Sequence, residues 1–190
     1  MKFTQLPLSG TYLVEPEKKG DERGFFARCF CAKEFGEMSL NTNWPQINNS
    51  LSSKAGTLRG LHFQLEPSAE VKLVRCVQGS MWDVIVDIRP QSPTFGQWYA
   101  HELTHDNRLM MYVPKGFAHG FQSMTDNCEI IYLVSEPYNS NLERNILWND
   151  PNVNILWPSI PTEISDRDRS APSLQDIRQT LNFNQPAITS

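Results

Sequence analysis

The sequence predicts an all-β fold, a double-sheet jelly roll with a few short peripheral helices, on three observations. Short runs rich in β-branched and aromatic residues recur at even spacing, clusters of Gly, Pro, Asn, Asp and Ser separate them, and no long stretch follows a helical period. Many short strands have few ways to bury a shared face other than a sandwich or a small closed barrel. The clearest strands are Val71 to Val77, Met81 to Ile88, Leu109 to Val113 and Cys128 to Val134. Within the second, Asp83, Ile85 and Asp87 alternate with Val84, Val86 and Ile88, a period of two that buries one face and exposes or specialises the other. Glu34 to Met38 and Leu174 to Leu181 are the expected helices, the latter because Leu174, Ile177 and Leu181 fall on one face. Pro186 to Ser190 is expected to fray.

The chain has 190 residues, with 17 basic against 21 acidic side chains and a formal net charge of −4. One domain spanning 1–190 is expected, since a chain of this length buries roughly 70% of its unfolded surface. A mildly acidic chain without Lys or Arg clusters excludes nucleic acid as the expected partner and leaves small anionic metabolites open. The longest apolar runs, Leu109 to Val113 and Ile130 to Val134, fall far short of the about 20 residues of a membrane-spanning helix. Polar, Pro-containing sequence follows Met1-Lys2-Phe3, against a signal peptide, so the expected compartment is the cytoplasm. Cys29, Cys31, Cys76 and Cys128 form no Cys-x-x-Cys pair and read as reduced thiols, with Cys29 and Cys31 pointing the same way from one strand.

Among the four histidines, His101 and His105 lie in a polar stretch that reads as a solvated strand end and turn. His62 differs. It sits in Thr57-Leu58-Arg59-Gly60-Leu61-His62-Phe63-Gln64, where a strand-like run carries an Arg, an imidazole and an amide. A hairpin centred near Pro67 would set Lys72 opposite His62 on one face. An imidazole and an ammonium facing a cavity suit removal of a proton beside a carbonyl, with His as base and Lys stabilising the enolate. On spacing alone, a satisfied core histidine and a snorkelling lysine remain the stronger reading. Tyr132, on the alternating strand Glu129 to Val134, would add a phenol that either donates a proton or packs the core. Asp83 would pair with Lys72 or cap a turn.

A metal set of His62, His119 and Glu129 is weighed and set below a metal-free site, because no His-x-His or clustered ligand spacing occurs. Phosphate-cradling glycine loops and nucleophile elbows are absent, which removes the usual kinase, dehydrogenase and hydrolase signatures.

Several ordered motifs run along the chain: Asp21-Glu22-Arg23-Gly24-Phe25-Phe26, Gly56 to Gln64, Lys72-Leu73-Val74-Arg75, Val86-Asp87-Ile88-Arg89 and Ser92-Pro93-Thr94-Phe95-Gly96. Pro114-Lys115-Gly116-Phe117-Ala118-His119-Gly120-Phe121 and Trp148-Asn149-Asp150-Pro151 complete the set. From about Gly10 to Ser173 the chain resembles the dTDP-4-dehydrorhamnose 3,5-epimerase family. The resemblance implies a cupin-like β-barrel without metal or cofactor, a homodimer, acting on a dTDP-4-keto-6-deoxyhexose at carbons 3 and 5 in deoxysugar biosynthesis. By position it implies His62 as base, Asp168 as the carboxylate orienting its ring, Lys72 steadying the enolate and Tyr132 returning the proton. Arg23 and Arg59 match diphosphate-binding positions, and Gln46, Asn48, His119, Glu143 and Arg167 match others lining the nucleotide-sugar site. Phe26 and Tyr138 would flank the base by stacking, and the Arg23 segment would reach into the partner subunit.

Arg28 stands where many members carry Glu, and Asn49 where many carry His, so both are expected to bear on which hexose or base is taken. Arg167 in place of Lys keeps the charge, and Asn145 replaces a frequent Gly without a functional reading. The alternative within the class is inversion at one carbon of a different nucleotide-linked 4-keto sugar. Outside it stand a metal-dependent oxygenase and a non-catalytic sugar-nucleotide binder.

Overall fold

The computed structural model describes residues 1–183; the expected frayed tail lies outside the described residues. In chain order the strands are β1 (Lys2–Gln5), β2 (Tyr12–Glu15), β3 (Lys18–Asp21), β4 (Gly24–Ala27), β5 (Gln46–Ser52), β6 (Thr57–Gln64) and β7 (Lys72–Gln78). They continue with β8 (Ser80–Asp87), β9 (Trp98–Thr104), β10 (Met110–Val113), β11 (Phe117–Ser123), β12 (Cys128–Val134), β13 (Glu143–Asn145) and β14 (Glu163–Ile164). The helices are α1 (Ala32–Glu37), α2 (Asp166–Arg169) and α3 (Leu174–Ile177), the last continued by a 3₁₀ turn over Arg178–Thr180.

Two sheets form the body. One runs β1-β2-β10-β7-β12-β5, and the other β13-β6-β11-β8-β9 with β14 parallel to β6. This is the all-β jelly roll expected. From β5 to β12 the chain crosses between the sheets at every step except the β8–β9 pair, so the apolar residues of both inner faces meet. Val74, Cys76 and Ile130 of the first sheet pack against Met81, Ile85 and Phe121 of the second. The period of two in β8 then has a consequence beyond one buried face. Val84, Val86 and Ile88 point outward, and the chain returning after β13 covers them with Ile146, Val153, Ile155, Leu174 and Phe183. The outer face of the first sheet is capped by Phe35 of α1 against Val14, Leu73 and Tyr112. Both faces of each sheet's centre are thus dry, which is why these strands read as near-continuous apolar runs.

The expected strands are present within a residue or so of their ends. Leu174 and Leu181 are buried on one face, although the helix stops at Ile177 and tightens before Leu181. Cys29 and Cys31 correct an expectation: neither lies on a strand, and Cys31 occupies the N-cap of α1, whose bounds are Ala32–Glu37 rather than Glu34 to Met38. All four cysteines are free thiols. Among the described residues no helix is long and apolar enough to cross a membrane.

A second correction concerns the segment around Pro67. β6 and β7 do not pair with each other; β6 pairs with β11, β13 and β14, and β7 with β10 and β12. The turn carries the chain from one sheet to the facing one. Lys72 therefore meets His62 across the barrel, not along a hairpin.

Candidate active site

The site begins with an irregularity in β6. His62 lies opposite His119, and Arg59 opposite Phe121, so three steps along β6 match two along β11. In a regular strand residues three apart point to opposite faces; the extra residue re-aims the chain so that Arg59 and His62 share the inner side. Gly60 and Gly120 permit it. Gly60 has φ +127°, and a Cβ there would lie 2.5 Å from the Gly120 Cα. Only two glycines let the backbones approach this closely.

His62 Nε2 is 2.7 Å from Asp168 Oδ1, and the Gly60 N–H donates to Asp168 Oδ2 at 3.3 Å. Asp168 is held at the start of α2 by the Ser165 hydroxyl, which accepts from the Asp168 N–H. Burial pushes the Asp168 carboxyl up, but the hydrogen bonds from His62 and Gly60 and the hydroxyl of Ser165 outweigh it and hold the group below the usual carboxylate range. An ionised carboxylate can only accept, so the proton of a neutral His62 sits on Nε2 and the lone pair on Nδ1.

Lys72 Nζ reaches over from β7, with its side chain only 9% exposed, to contact the Glu70 carboxylate at 3.0 Å and the His62 carbonyl at 3.4 Å. The expected pairing with Asp83 does not form, because Asp83 accepts instead from His119 Nε2 at 2.7 Å, deeper in the barrel. Tyr132 of β12 sits between Asn48 of β5 and Val74 of β7. Burial first, and then the nearby carboxylates of Glu70 and Glu143, push its phenol above the ordinary tyrosine range, with Arg59 opposing them.

These groups open onto two adjoining cavities that share lining residues. A cavity of about 530 Å³ is lined by Arg59, His62, Lys72, His119, Tyr132 and Asp168, with Arg167 at its edge. A second, of about 330 Å³, shares His62, Lys72 and Tyr132 and adds Gln46, Asn48, Tyr138 and Glu143. An ordered polar rim closes this side. Glu143 Oε2 accepts from the Tyr138 hydroxyl at 2.7 Å and from Arg167 Nη1 at 2.6 Å, while Gln46 Nε2 donates to Asn48 Oδ1 at 2.9 Å. Burial raises the Glu143 carboxyl, but Tyr138 and Arg167 bring it below the usual range, so it stays charged.

The structure brings eleven of the thirteen expected site residues to these cavities; Arg23 and Phe26 line neither. They belong to the β3–β4 hairpin, where the Arg23 side chain is 89% exposed and ion-paired to Asp21, and Phe26 is 66% exposed. The stacking of Phe26 on the base does not occur within one chain. The metal set of His62, His119 and Glu129 does not assemble: each imidazole is engaged by a carboxylate, and Glu129 accepts from Asn49.

Comparison with known proteins identifies the family. The profile of the dTDP-4-dehydrorhamnose 3,5-epimerase family matches residues 5–176. The chain belongs to this family. Among curated members it is 43% identical to the dTDP-4-dehydrorhamnose 3,5-epimerase of Sinorhizobium fredii, over 96% of this chain and 94% of that one. Among solved structures, the dTDP-6-deoxy-D-glucose-3,5-epimerase of Legionella pneumophila in complex with dTDP-4-keto-L-rhamnose superposes with a TM-score of 0.91 at 36% identity, covering 97% of this chain and 99% of that one. A 3′-monoepimerase of Streptomyces bikiniensis in complex with dTDP-quinovose has a TM-score of 0.85 at 32% identity, covering 92% and 89%.

Of the departures from the family pattern, Arg167 lines the cavity, while Asn49, Arg28 and Asn145 line neither cavity. Asn49 alternates with Asn48 along β5 and faces outward, donating to Glu129 Oε1 at 2.9 Å. Arg28 pairs with Glu34 at 3.1 Å and lines neither cavity. Asn145 gains a reading: it lies opposite His62 on β13, and its Nδ2 donates to the Arg167 carbonyl at 3.1 Å, tying that strand to the helix that carries Asp168. Sequence reasoning noted the Gln64 amide in the β6 run without giving it a role, and missed Glu70 as a site residue. Glu70 is a single polar side chain beside a turn, with no motif to mark it; the signal available was its position flanking the turn that crosses between sheets.

Proposed function

We propose that the chain epimerises a dTDP-4-keto-6-deoxyhexose at carbons 3 and 5, the positions flanking the carbon-4 ketone. One observation carries the reading: a carboxylate-held imidazole, an ammonium and a half-buried phenol line a single cavity in a member of an epimerase family. The ketone makes both neighbouring carbons acidic. His62 Nδ1 takes the proton, the C–H electron pair moves into the ring as the enolate double bond, and the oxygen charge falls to the Lys72 ammonium. Asp168 balances the imidazolium that forms. Tyr132 then delivers a proton to the other face of the same carbon, so the sugar keeps its composition and changes its configuration. The step takes no oxidant or reductant. A phenol pushed up in pKa suits this role, since it is neutral and able to donate at working pH.

Arg59, which lines the cavity and donates to the Leu51 carbonyl at 3.1 Å, is assigned to the diphosphate, and Gln46, Asn48, His119, Tyr138, Glu143 and Arg167 to the rest of the nucleotide sugar. Arg23 and Phe26 are assigned to the site of a second copy of the chain in a homodimer; their exposure on a hairpin that joins neither main sheet supports this. Four free thiols fit a reducing compartment, the cytoplasm.

The test is incubation with dTDP-4-keto-6-deoxyglucose in deuterated water, mapped by proton NMR. Deuterium at carbons 3 and 5 is expected. Label at carbon 3 alone would make the protein a monoepimerase like its Streptomyces relative, and no label would end the reading.

A further inference from the structure

Glu70 is a buried charge that the proposed reaction does not yet use. It lies in the crossing turn, two residues before Lys72, so on an extended backbone the two side chains share a face. Its side chain is 10% exposed. Oε1 is 3.0 Å from Lys72 Nζ, and Oε2 accepts from Gln64 Nε2 at 3.0 Å. Gln64 is itself clamped, with its Oε1 accepting from the Asn139 N–H at 2.6 Å. A carboxylate withdrawn from water, with one neutral and one charged donor, is fixed in place, and so is the ammonium it holds. Of the three Lys72 donors, Glu70 and the His62 carbonyl take two, and the third is left for the cavity.

We propose that Glu70 is a positioning residue for the proton transfer: its carboxylate locks the Lys72 ammonium toward the ketone oxygen and sets a fixed negative charge beside the Tyr132 phenol. The proposal rests on the epimerase reading and deepens it. The charged and titratable groups lining the cavities beside the phenol are Glu70 and Lys72 from the β7 side, Arg59 and His62 from β6, His119 from β11, Glu143 with Tyr138 from the β13 side, Glu163 from β14, and Arg167 and Asp168 from α2; β5 contributes only Gln46, Asn48 and Ser50. After burial, Glu70 is the foremost influence raising the Tyr132 pKa. Removing its charge lowers that pKa, so the neutral acid is lost at a lower pH.

The experiment compares Glu70→Gln and Glu70→Asp with the wild type in the deuterated-water assay across pH. Glu70→Gln is expected to lower kcat about tenfold with KM nearly unchanged, a fraction of the roughly 100-fold that loss of a preorganised contact costs. It should also move the alkaline limb of the kcat profile to lower pH, with Glu70→Asp returning the limb toward its wild-type position. In parallel, carbon-13 NMR of labelled tyrosine, with Tyr132 assigned through Tyr132→Phe, should show the phenol of Glu70→Gln titrating at lower pH. A wild-type limb and titration in Glu70→Gln overturn the proposal, as does an equal loss in both variants with no shift, which marks a merely structural residue. If the wild type exchanges no hydrogen, the epimerase reading fails by itself, and the tyrosine titration still decides whether Glu70 governs Tyr132.

Discussion

The proton on Nε2 of His62 is a residue-scale consequence of Asp168, and it gives that carboxylate a test of its own. Asp168→Asn keeps the volume but presents an amide that can donate to Nε2, which turns the imidazole so that Nδ1 carries the proton and no longer accepts one. Exchange of substrate hydrogen with deuterated water should fall by about 100-fold or more, within the range that general base catalysis supplies, while KM stays close to wild type. An unchanged exchange rate would take the carboxylate out of the reaction. Tyr132 separates differently, because the acid acts after the enolate exists. Tyr132→Phe should lose inversion while keeping much of the exchange, read as deuterium entering with retained configuration. Equal loss of both would assign Tyr132 to enolate formation instead.

At the scale of elements, the bulge in β6 is what turns a strand into a site, and Gly60 is its weak point. Gly60→Ala puts a methyl 2.5 Å from the Gly120 Cα at φ +127°. Strain and overpacking together should cost about 3 kcal/mol, seen as a lower urea midpoint, and activity should drop further than stability because Arg59 and His62 lose their common face. A second element-scale prediction concerns the loop between β8 and β9. Asp87 is buried, which raises its pKa, but Arg89, Ser92 and Thr94 more than compensate and leave it below the ordinary value. A folded-state pKa below the unfolded one, about 3.9, means stability fully present above that pH and lost as pH falls through the folded value. The melting temperature of the wild type should therefore drop more steeply below about pH 4 than that of Asp87→Asn; parallel slopes would remove Asp87 as the cause. The strands were legible because composition and turns bound them tightly, as with Cys128–Val134, whose limits the structure reproduces. The Glu66-Pro67-Ser68-Ala69 turn was legible as a reversal, but turn chemistry does not say whether the chain rejoins the same sheet or crosses to its partner. Cys31 likewise looked like a strand residue until the start of α1 claimed it as a cap. His62, Lys72 and Tyr132 could be suspected from residue type and period, and Asp168 and Arg167 came from motif resemblance. Glu70 was invisible because a lone Glu after a turn looks solvated, and only the facing sheet removes its water.

For the whole molecule, the decisive feature is a hairpin that joins neither main sheet and meets the rest of its chain where the Arg108 guanidinium lies over the Phe25 ring. β3 and β4 pair only with each other, and the side chains at their tip are open to water. Large exposed aromatics on such an arm are costly in a monomer and are ordinarily covered. In a two-fold dimer each arm would supply Arg23 and Phe26 to the other chain's cavity, so each site would be built from two chains. That arrangement predicts complementation. Arg23→Ala and His62→Ala should each be nearly inactive alone. In a mixed dimer, the chain with intact His62 receives an intact arm from its partner, restoring one of two sites. Random mixing places about half of the chains' dimers in this mixed form, so activity should recover to about a quarter of wild type. Light scattering should show the dimer in all three samples. Failure of the mixture to regain activity while the dimers exchange subunits would leave Arg23 acting within its own chain or not at all.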